Sequence, residues 1–297
     1  MELIKFIPFL LLLSLFSCKS DKSEQNLSNL EQTVKANPNA ETVQKLLATY
    51  QTELERTDLD VTAKSTIVGK LAQLQLDNKQ IPEAIQTLKN GMSNYHAAPG
   101  TAEHLWTLGE VFKNQRPTVS KTIQKLYTNL YPSGKNSATI KQMLATDTTS
   151  IYQHLDNLGS AMYNEETHRL KTNVAGDFIE SCDVFAILKP EDPKSPDYLH
   201  KAGETARAIK NFNRAIGIYA RVHTNYPEFA KAPQALFLKA FTYDNDLKNY
   251  DQARALYTEF LEKYPNDDFA DDTQFLLKNL GKTDEEIIKG FSQEKKQ

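Results

Sequence analysis

The 297-residue sequence predicts an all-α chain of stacked helical hairpins, a solenoid, and three observations predict it. Glycine is scarce at 11 residues, while Leu, Ala, Gln, Lys and Glu abound; these side chains lose little rotamer freedom in a helix. Apolar residues recur at offsets of 0, 3, 4, 7, 8 and 11 over Ala253, Leu256, Tyr257, Phe260, Leu261 and Tyr264, which is one face of an α-helix stopped by Pro265. The same face recurs over Ala215, Ile218, Tyr219, Val222 and Tyr226 before Pro227, 38 residues upstream of Pro265. It appears again over Phe178, Cys182, Phe185 and Ala186 before Pro190, a further 37 residues back. A fixed period in this range marks a repeat architecture. A fourth copy, Ala84, Leu88, Met92 and Tyr95, keeps the face but has His96 in place of the proline.

Composition bounds the function. Hydrophobic residues make up 40% and charged residues 25%, the range of an ordinary folded protein. The net charge of −3 offers no field of one sign to draw in nucleic acid.

The N-terminus comes first in chain order. From Phe6 to Phe16 the chain is apolar except for Pro8 and Ser14, the length of a signal-peptide core and too short to span a bilayer, which needs ~20 residues. It stops at Ser17-Cys18 and turns polar in "KSDKSEQ". "LFSC" resembles the lipobox of bacterial lipoproteins, whose Cys is diacylated and becomes the new N-terminus; Phe16 departs from the small or branched residue usual there. That resemblance makes residues 1–17 a lipoprotein signal peptide and Cys18 the lipid-attachment residue. The other reading is an ordinary secretory signal with an incidental Cys. Cys182, the second of two cysteines, then has no internal partner and reads as a buried small hydrophobe, because nothing local offers the His that a catalytic thiol needs.

Residues 18–29 read as a polar tether. Residues 30–174 read as a degenerate region of helical hairpins. In it, "VGKLAQLQLDNKQIPEAIQTL" forms a hairpin whose second helix begins at Pro82, where a missing N–H is harmless. "EHLWTLGEVF" starts another, with Trp106 either a binding aromatic or, by its size, a packing residue between hairpins. The stretch from Ser133 to Thr149 reads as irregular, and Ile151 to Leu170 as helix matching no repeat. "KPEDPKSPDY", with three prolines from Lys189 to Tyr198, is a stiff linker or a long inter-repeat turn; the helical face crosses it, which favours the turn.

Residues 175–291 carry the regular repeats, ahead of a polar tail at 292–297. Leu199, Ala202, Gly203 and Ala206 precede the Ala215 helix, and Leu236, Ala240 and Tyr243 precede the Ala253 helix. The small residues, Gly203 and Ala240 in first helices and Ala215 and Ala253 in second ones, let each hairpin close. Tyr219 and Tyr257 fill the gap to the neighbour, and Pro227 and Pro265 complete the repeat-packing set. This pattern resembles the tetratricopeptide repeat (TPR). The 37–38-residue period, with the Tyr226-Pro227 and Tyr264-Pro265 junctions, resembles the outer-membrane TPR lipoproteins of the BamD and YbgF/CpoB type. The closing "FLLKNLGKTDEEIIKGF" resembles the end of many Bacteroidota TPR lipoproteins. "KNYDQA" carries one extra residue in its turn.

The resemblance implies a lipid-anchored envelope scaffold that binds proteins or peptides, in outer-membrane assembly or envelope maintenance. It also implies an outer-membrane location facing the periplasm, because the tether lacks an acidic surface-export run and Lys19 is not the Asp associated with inner-membrane retention. The alternative is a glycan-binding lipoprotein of SusD-like type, which one Trp supports thinly. The groove positions implied by the resemblance are His200, Glu204 and Arg207. His200 and Glu204 stand where carboxylate-clamp repeats carry Lys and Asn, so an acidic C-terminus is not the expected ligand. As an i,i+4 pair they are neighbours on a helix, an ordinary solvated pair rather than a metal site. "NDDFADD" lacks calcium-loop spacing and suits the first turn of a helix. No phosphate loop, HExxH, CxxC or Gly-x-Ser-x-Gly occurs, so neither enzymatic activity nor a cofactor is expected.

Overall fold

The computed structural model describes residues 17–167, 169–283 and 285–289, with side chains from residue 24 onward. Residues 1–16 of the signal segment 1–17, the Cys18 side chain and the tail 292–297 lie outside the described residues. The fold is an all-α helical-hairpin solenoid, and its residues pack as two units, Met1–His104 and Leu105–Gln297. No helix among the described residues is long and apolar enough to cross a membrane.

In the first unit α1 (Ser17–Ala36), α2 (Ala40–Glu55), α3 (Val61–Asp77) and α4 (Ile81–Asn94) pack each on the next. Asn39 starts α2 with a capping box: its Oδ1 accepts from Thr42 N at 3.0 Å and Thr42 Oγ1 accepts from Asn39 N at 3.3 Å. Asp60 caps α3, and Pro82 sits in the first turn of α4 as the sequence indicates. The predicted tether is helical instead. Leu27, Leu30 and Val34 share one face of α1 and pack on Val43, Leu46, Tyr50 and Leu71, while Glu31 accepts from the Tyr50 hydroxyl at 2.9 Å and from Lys70 Nζ at 2.9 Å. Three apolar side chains at helical spacing outweigh the polar, Ser-rich composition.

The second unit takes in most of α5 (Thr101–Phe112), which runs across the division, then α6 (Pro117–Leu130), α7 (Ser137–Met143), α8 (Ile151–Ala161), α9 (Thr172–Leu188), α10 (Ser195–Ala208), α11 (Phe212–Asn225), α12 (Ala232–Phe241), α13 (Tyr250–Lys263) and α14 (Ala270–Lys278). From α9 to α14 each helix packs on the one before it, and α9 also packs on α6 and α8. The change in repeat regularity near residue 175 is therefore not a break in packing. The helix expected over 151–170 ends at Ala161. A short antiparallel hairpin follows, pairing Tyr163 with Leu170 and Asn164 with Arg169. Asn164 Oδ1 accepts from the N–H groups of Glu166 and Thr167 at 3.0 and 2.9 Å, the local turn chemistry that competes with helix. The region expected to be irregular contains α7. The three-proline stretch is a turn between α9 and α10, closed by Ser195 Oγ donating to the Lys189 carbonyl at 2.5 Å. Ser137 Oγ donates to the Tyr131 carbonyl in the same way, so the Tyr131-Pro132 turn has the geometry of the turn between α9 and α10.

The repeat register is visible in the packing. Ala215, Tyr219, Ala240, Ala253 and Tyr257 are fully buried. A Cβ on Gly203 would stand 2.7 Å from Tyr219 Cε1, so the helix–ring contact requires glycine there. Pro227 and Pro265 are exposed. They stand just past the ends of α11 and α13, whose last N–H donors come from Tyr226 and Tyr264. The extra residue of the last repeat lies in a π-helical turn, Thr242–Asp246, continuing α12. Leu199 and Leu236 keep the 37-residue period, whereas the left-handed turn residues Lys210 (φ 62°) and Lys248 (φ 54°) stand 38 apart. The N-caps Asn211 and Asn249 follow at the same 38-residue spacing. First-helix positions before residue 242 are thus in register. Cys182 is fully buried, and burial first of all pushes its thiol pKa up. Asp183, 1% exposed, joins α9 to α11 through ion pairs with Arg214 and Arg221.

Candidate functional site

A cleft of about 530 Å³ opens between α8, α9 and α10, with the 163–170 hairpin at one side. That volume is in the range of sites that take small ligands or a few side chains, about 300–1,000 Å³. Its apolar wall comes from Leu155 on α8, Met162 and Leu170 at the hairpin, and Phe178 on α9. Its polar edge comes from Asp156 on α8 and from Tyr198, Lys201 and Glu204 on α10.

Tyr198 is fixed rather than free. Its hydroxyl donates to Asp156 Oδ1 at 3.0 Å, and its ring meets Phe185 edge-on at 5.3 Å. Burial, then the bond to Asp156, raises the phenol pKa, so it stays a neutral donor. Lys201 is paired with Asp197 at 2.8 Å, and that hydrogen bond above all raises its pKa. Thr205 donates to the Lys201 carbonyl at 2.7 Å, with its Oγ1 3.9 Å from Met162 Sδ. Glu204 is exposed, with its carboxylate 3.3 Å from His200 Nδ1; that imidazole, first of all, holds the Glu204 pKa below its usual value. The result is an apolar wall edged by an exposed acid, Glu204, a paired base, Lys201, and a phenol oriented by Asp156.

The three predicted groove residues separate. Glu204 lines the cleft. His200 does not: it is fully buried, tilted against Tyr219 (6.3 Å) and edge-on to Phe229 (6.4 Å), and neither ring nitrogen has a partner in hydrogen-bond geometry. Arg207 also turns away. Its Nε donates to Asp246 Oδ2 at 2.6 Å and its guanidinium lies 4.8 Å from the Phe241 ring, tying α10 to the π-helical turn. Leu155, Met162, Leu170, Phe178 and Tyr198 were not legible as site residues. The available signal was the spacing of Leu155, Gly159 and Met162, an apolar face in a helix that matched no repeat. Trp106 is half-buried. Among the described residues no three His, Cys, Asp or Glu side chains converge to hold a metal ion.

Comparison with known proteins matches the tetratricopeptide repeat family at residues 197–228 and 234–267, which correspond to α10–α11 and α12–α13. Among solved structures, a chain described as the TPR2AB-domain:pHSP90-complex of yeast Sti1 is similar at 14% identity and a TM-score of 0.30, covering 87% of this chain and 98% of that one. No curated protein matches. Residues 197–228 and 234–267 of this chain thus match the tetratricopeptide repeat, and they lie in an all-α solenoid.

Proposed function

We propose that this chain is a non-enzymatic scaffold that receives an amphipathic stretch of a partner protein in the cleft between α8, α9 and α10. One observation carries the reading: Leu155, Met162, Leu170 and Phe178 form an apolar wall beside Asp156, Lys201 and Glu204, on helices contiguous with the repeats. Apolar side chains of a partner bury against the wall, and its polar groups meet the acid and base at the edge. Stacked repeats suit this use because they offer extended binding surfaces. The same proposal places the protein at the outer membrane, facing the periplasm and anchored through lipid on Cys18, as a part of envelope assembly or maintenance; the "LFSC" signal supports it.

A photo-crosslinking residue at Leu170, in cells that make the full chain, tests the cleft. The expected result is a discrete adduct that disappears with Met162→Lys and is absent when the crosslinker stands at Arg254, an exposed position on α13. Equal adducts at both positions would refute the assignment. Cys18→Ser tests the anchor: loss of metabolic palmitate labelling is expected, and persistent labelling would refute it. Protease shaving of intact cells should spare the protein; digestion would place it on the cell surface.

A further inference from the structure

A second cleft, of about 500 Å³, lies where α7 and the 144–150 loop interrupt the repeat pattern. It shares no lining residue with the first cleft. Its walls carry three ammonium groups from three elements: Lys125 on α6, Lys141 on α7 and Lys189 at the end of α9. Asp147 is the one carboxylate among the lining residues.

That carboxylate is already committed. Its oxygens take Lys121, Lys125 (3.1 Å), and both the N–H (3.0 Å) and the hydroxyl (2.6 Å) of Thr149. Lys125 is nearly enclosed, at 6% side-chain exposure, and is held by Asp147 and by the Thr149 carbonyl at 2.6 Å. Lys189 is steadied by Asp192 at 3.1 Å and by the Tyr152 hydroxyl at 3.4 Å. Lys141 donates to the Pro132 carbonyl at 3.0 Å. Lys194 Nζ lies 5.0 Å from the ring of Tyr152, a lining residue of the cleft. Lys125, Lys141 and Lys189 thus line the cleft with the single carboxylate of Asp147, which also takes Lys121, and Asp192 pairs with Lys189 just outside it. This local excess of positive charge stands in a chain whose net charge is −3. Neutral donors complete the lining. Ser150 Oγ accepts from Gln153 N at 3.1 Å, which leaves its hydroxyl proton for a ligand, and Asn129 contributes an amide. The positive end of the α8 dipole begins at Ile151 in the same wall.

We propose that this cleft binds an oxyanion of more than one charge, a phosphoryl or polycarboxylate group, between Lys125, Lys141 and Lys189. Lysine ammoniums act as point charges that suit a tetrahedral or clustered anion and do not demand the planar fork geometry an arginine would impose. Two of the three are pre-positioned by fixed partners, so little order has to be created on binding. The site is independent of the peptide cleft, and its ligand is a small anionic group rather than an apolar side chain.

Isothermal titration of the purified full chain with pyrophosphate and, separately, with citrate at physiological salt tests this. Saturable binding is expected, weakening as salt is raised because the attraction is screened. Lys141→Glu should weaken it by about tenfold or more, as expected for reversing a charge in direct contact with the ligand, and Lys189→Gln should weaken it in the same direction. Lys201→Gln, on the other cleft, should leave it unchanged. Binding of pyrophosphate alone identifies a phosphoryl ligand; binding of both probes identifies a general oxyanion site. Absence of saturable binding with either probe, or equal affinity in the Lys141 and Lys201 variants, would overturn the proposal. Lys141 is exposed, so its variant should keep the parent's helical circular dichroism; Lys141→Met repeats the test without adding an acid.

Discussion

Two alanine substitutions of opposite sign test the repeat register. Gly203 on α10 and Gly217 on α11 are both helical, so replacing either with Ala gains about 1 kcal/mol of helix propensity. At Gly217 a Cβ meets nothing within 4 Å, and the gain should survive whole. At Gly203 the new Cβ would stand 2.7 and 2.9 Å from two ring carbons of Tyr219 and 3.3 Å from Ile218 Cγ2. Tyr219 is fully buried and Ile218 is 1% exposed, so neither ring nor branch has room to withdraw. Overpacking of this kind costs about 1–3 kcal/mol. Since the contact lies below the distance that real Cβ atoms show, the upper part of that range applies, and about 1–2 kcal/mol of net destabilisation remains after the propensity gain. In urea unfolding followed by helical circular dichroism, Gly217→Ala should raise the midpoint and Gly203→Ala should lower it. A thermal scan should show shifts of about 2–4 °C per kcal/mol. If Gly203→Ala stabilises the chain as much as Gly217→Ala, Tyr219 does not lie over residue 203 and the hairpin register is wrong.

Tyr257→Ala should cost about 3–5 kcal/mol, because it empties a fully buried aromatic site in the core shared by α12 and α13. Tyr250→Ala should cost much less, since that ring is 37% exposed; equal small losses in unfolding experiments would contradict the assignment. Stability should also fall in mild acid. Burial first, then Lys125 and Lys121, lowers the His154 pKa from 6.5 to about 4, and its Nε2 lies 2.9 Å from Thr122 Oγ1. The unfolded chain therefore binds this proton before the folded one does. The contribution is complete above pH 6.5, declines as pH falls from there, and is spent near pH 4. Urea midpoints measured across that interval should drop in the parent and drop less in His154→Asn; an identical slope in both would remove His154 as the cause.

The C-terminal hairpins were legible because their packing is local and periodic. Ala215, Tyr219, Ala253 and Tyr257 face the core at intervals that any straight helix imposes, and prolines mark the ends. Tyr131-Pro132 carries the same residue pair as Tyr226-Pro227, but α7, the helix that follows it, is cut short at Met143, and α8 begins only at Ile151. Leu27, Leu30 and Val34 stand at helical spacing, but three apolar residues in a polar stretch form a stable helix only because Val43, Leu46, Tyr50 and Leu71 give that face a core to bury against. The extra residue near "KNYDQA" was countable from sequence, whereas its absorption as a π-helical turn with Thr242 fully buried, rather than as a longer loop, is seen only in the folded chain.

The two clefts belong wholly to tertiary structure. His200 and Glu204 sit one helical turn apart and look equivalent in sequence, yet one is enclosed by Tyr219 and Phe229 and the other faces the cleft. Lys125, Lys141 and Lys189 are unremarkable in sequence and converge only because α6, α7 and α9 fold around the 144–150 loop. Sequence by itself determined the helical class, the hairpin period and the residues that seal each hairpin, because those follow from backbone geometry and from neighbours three and four positions away. Which polar groups meet, and which are turned inward, was decided by contacts between segments tens of residues apart, a relation that no local period encodes.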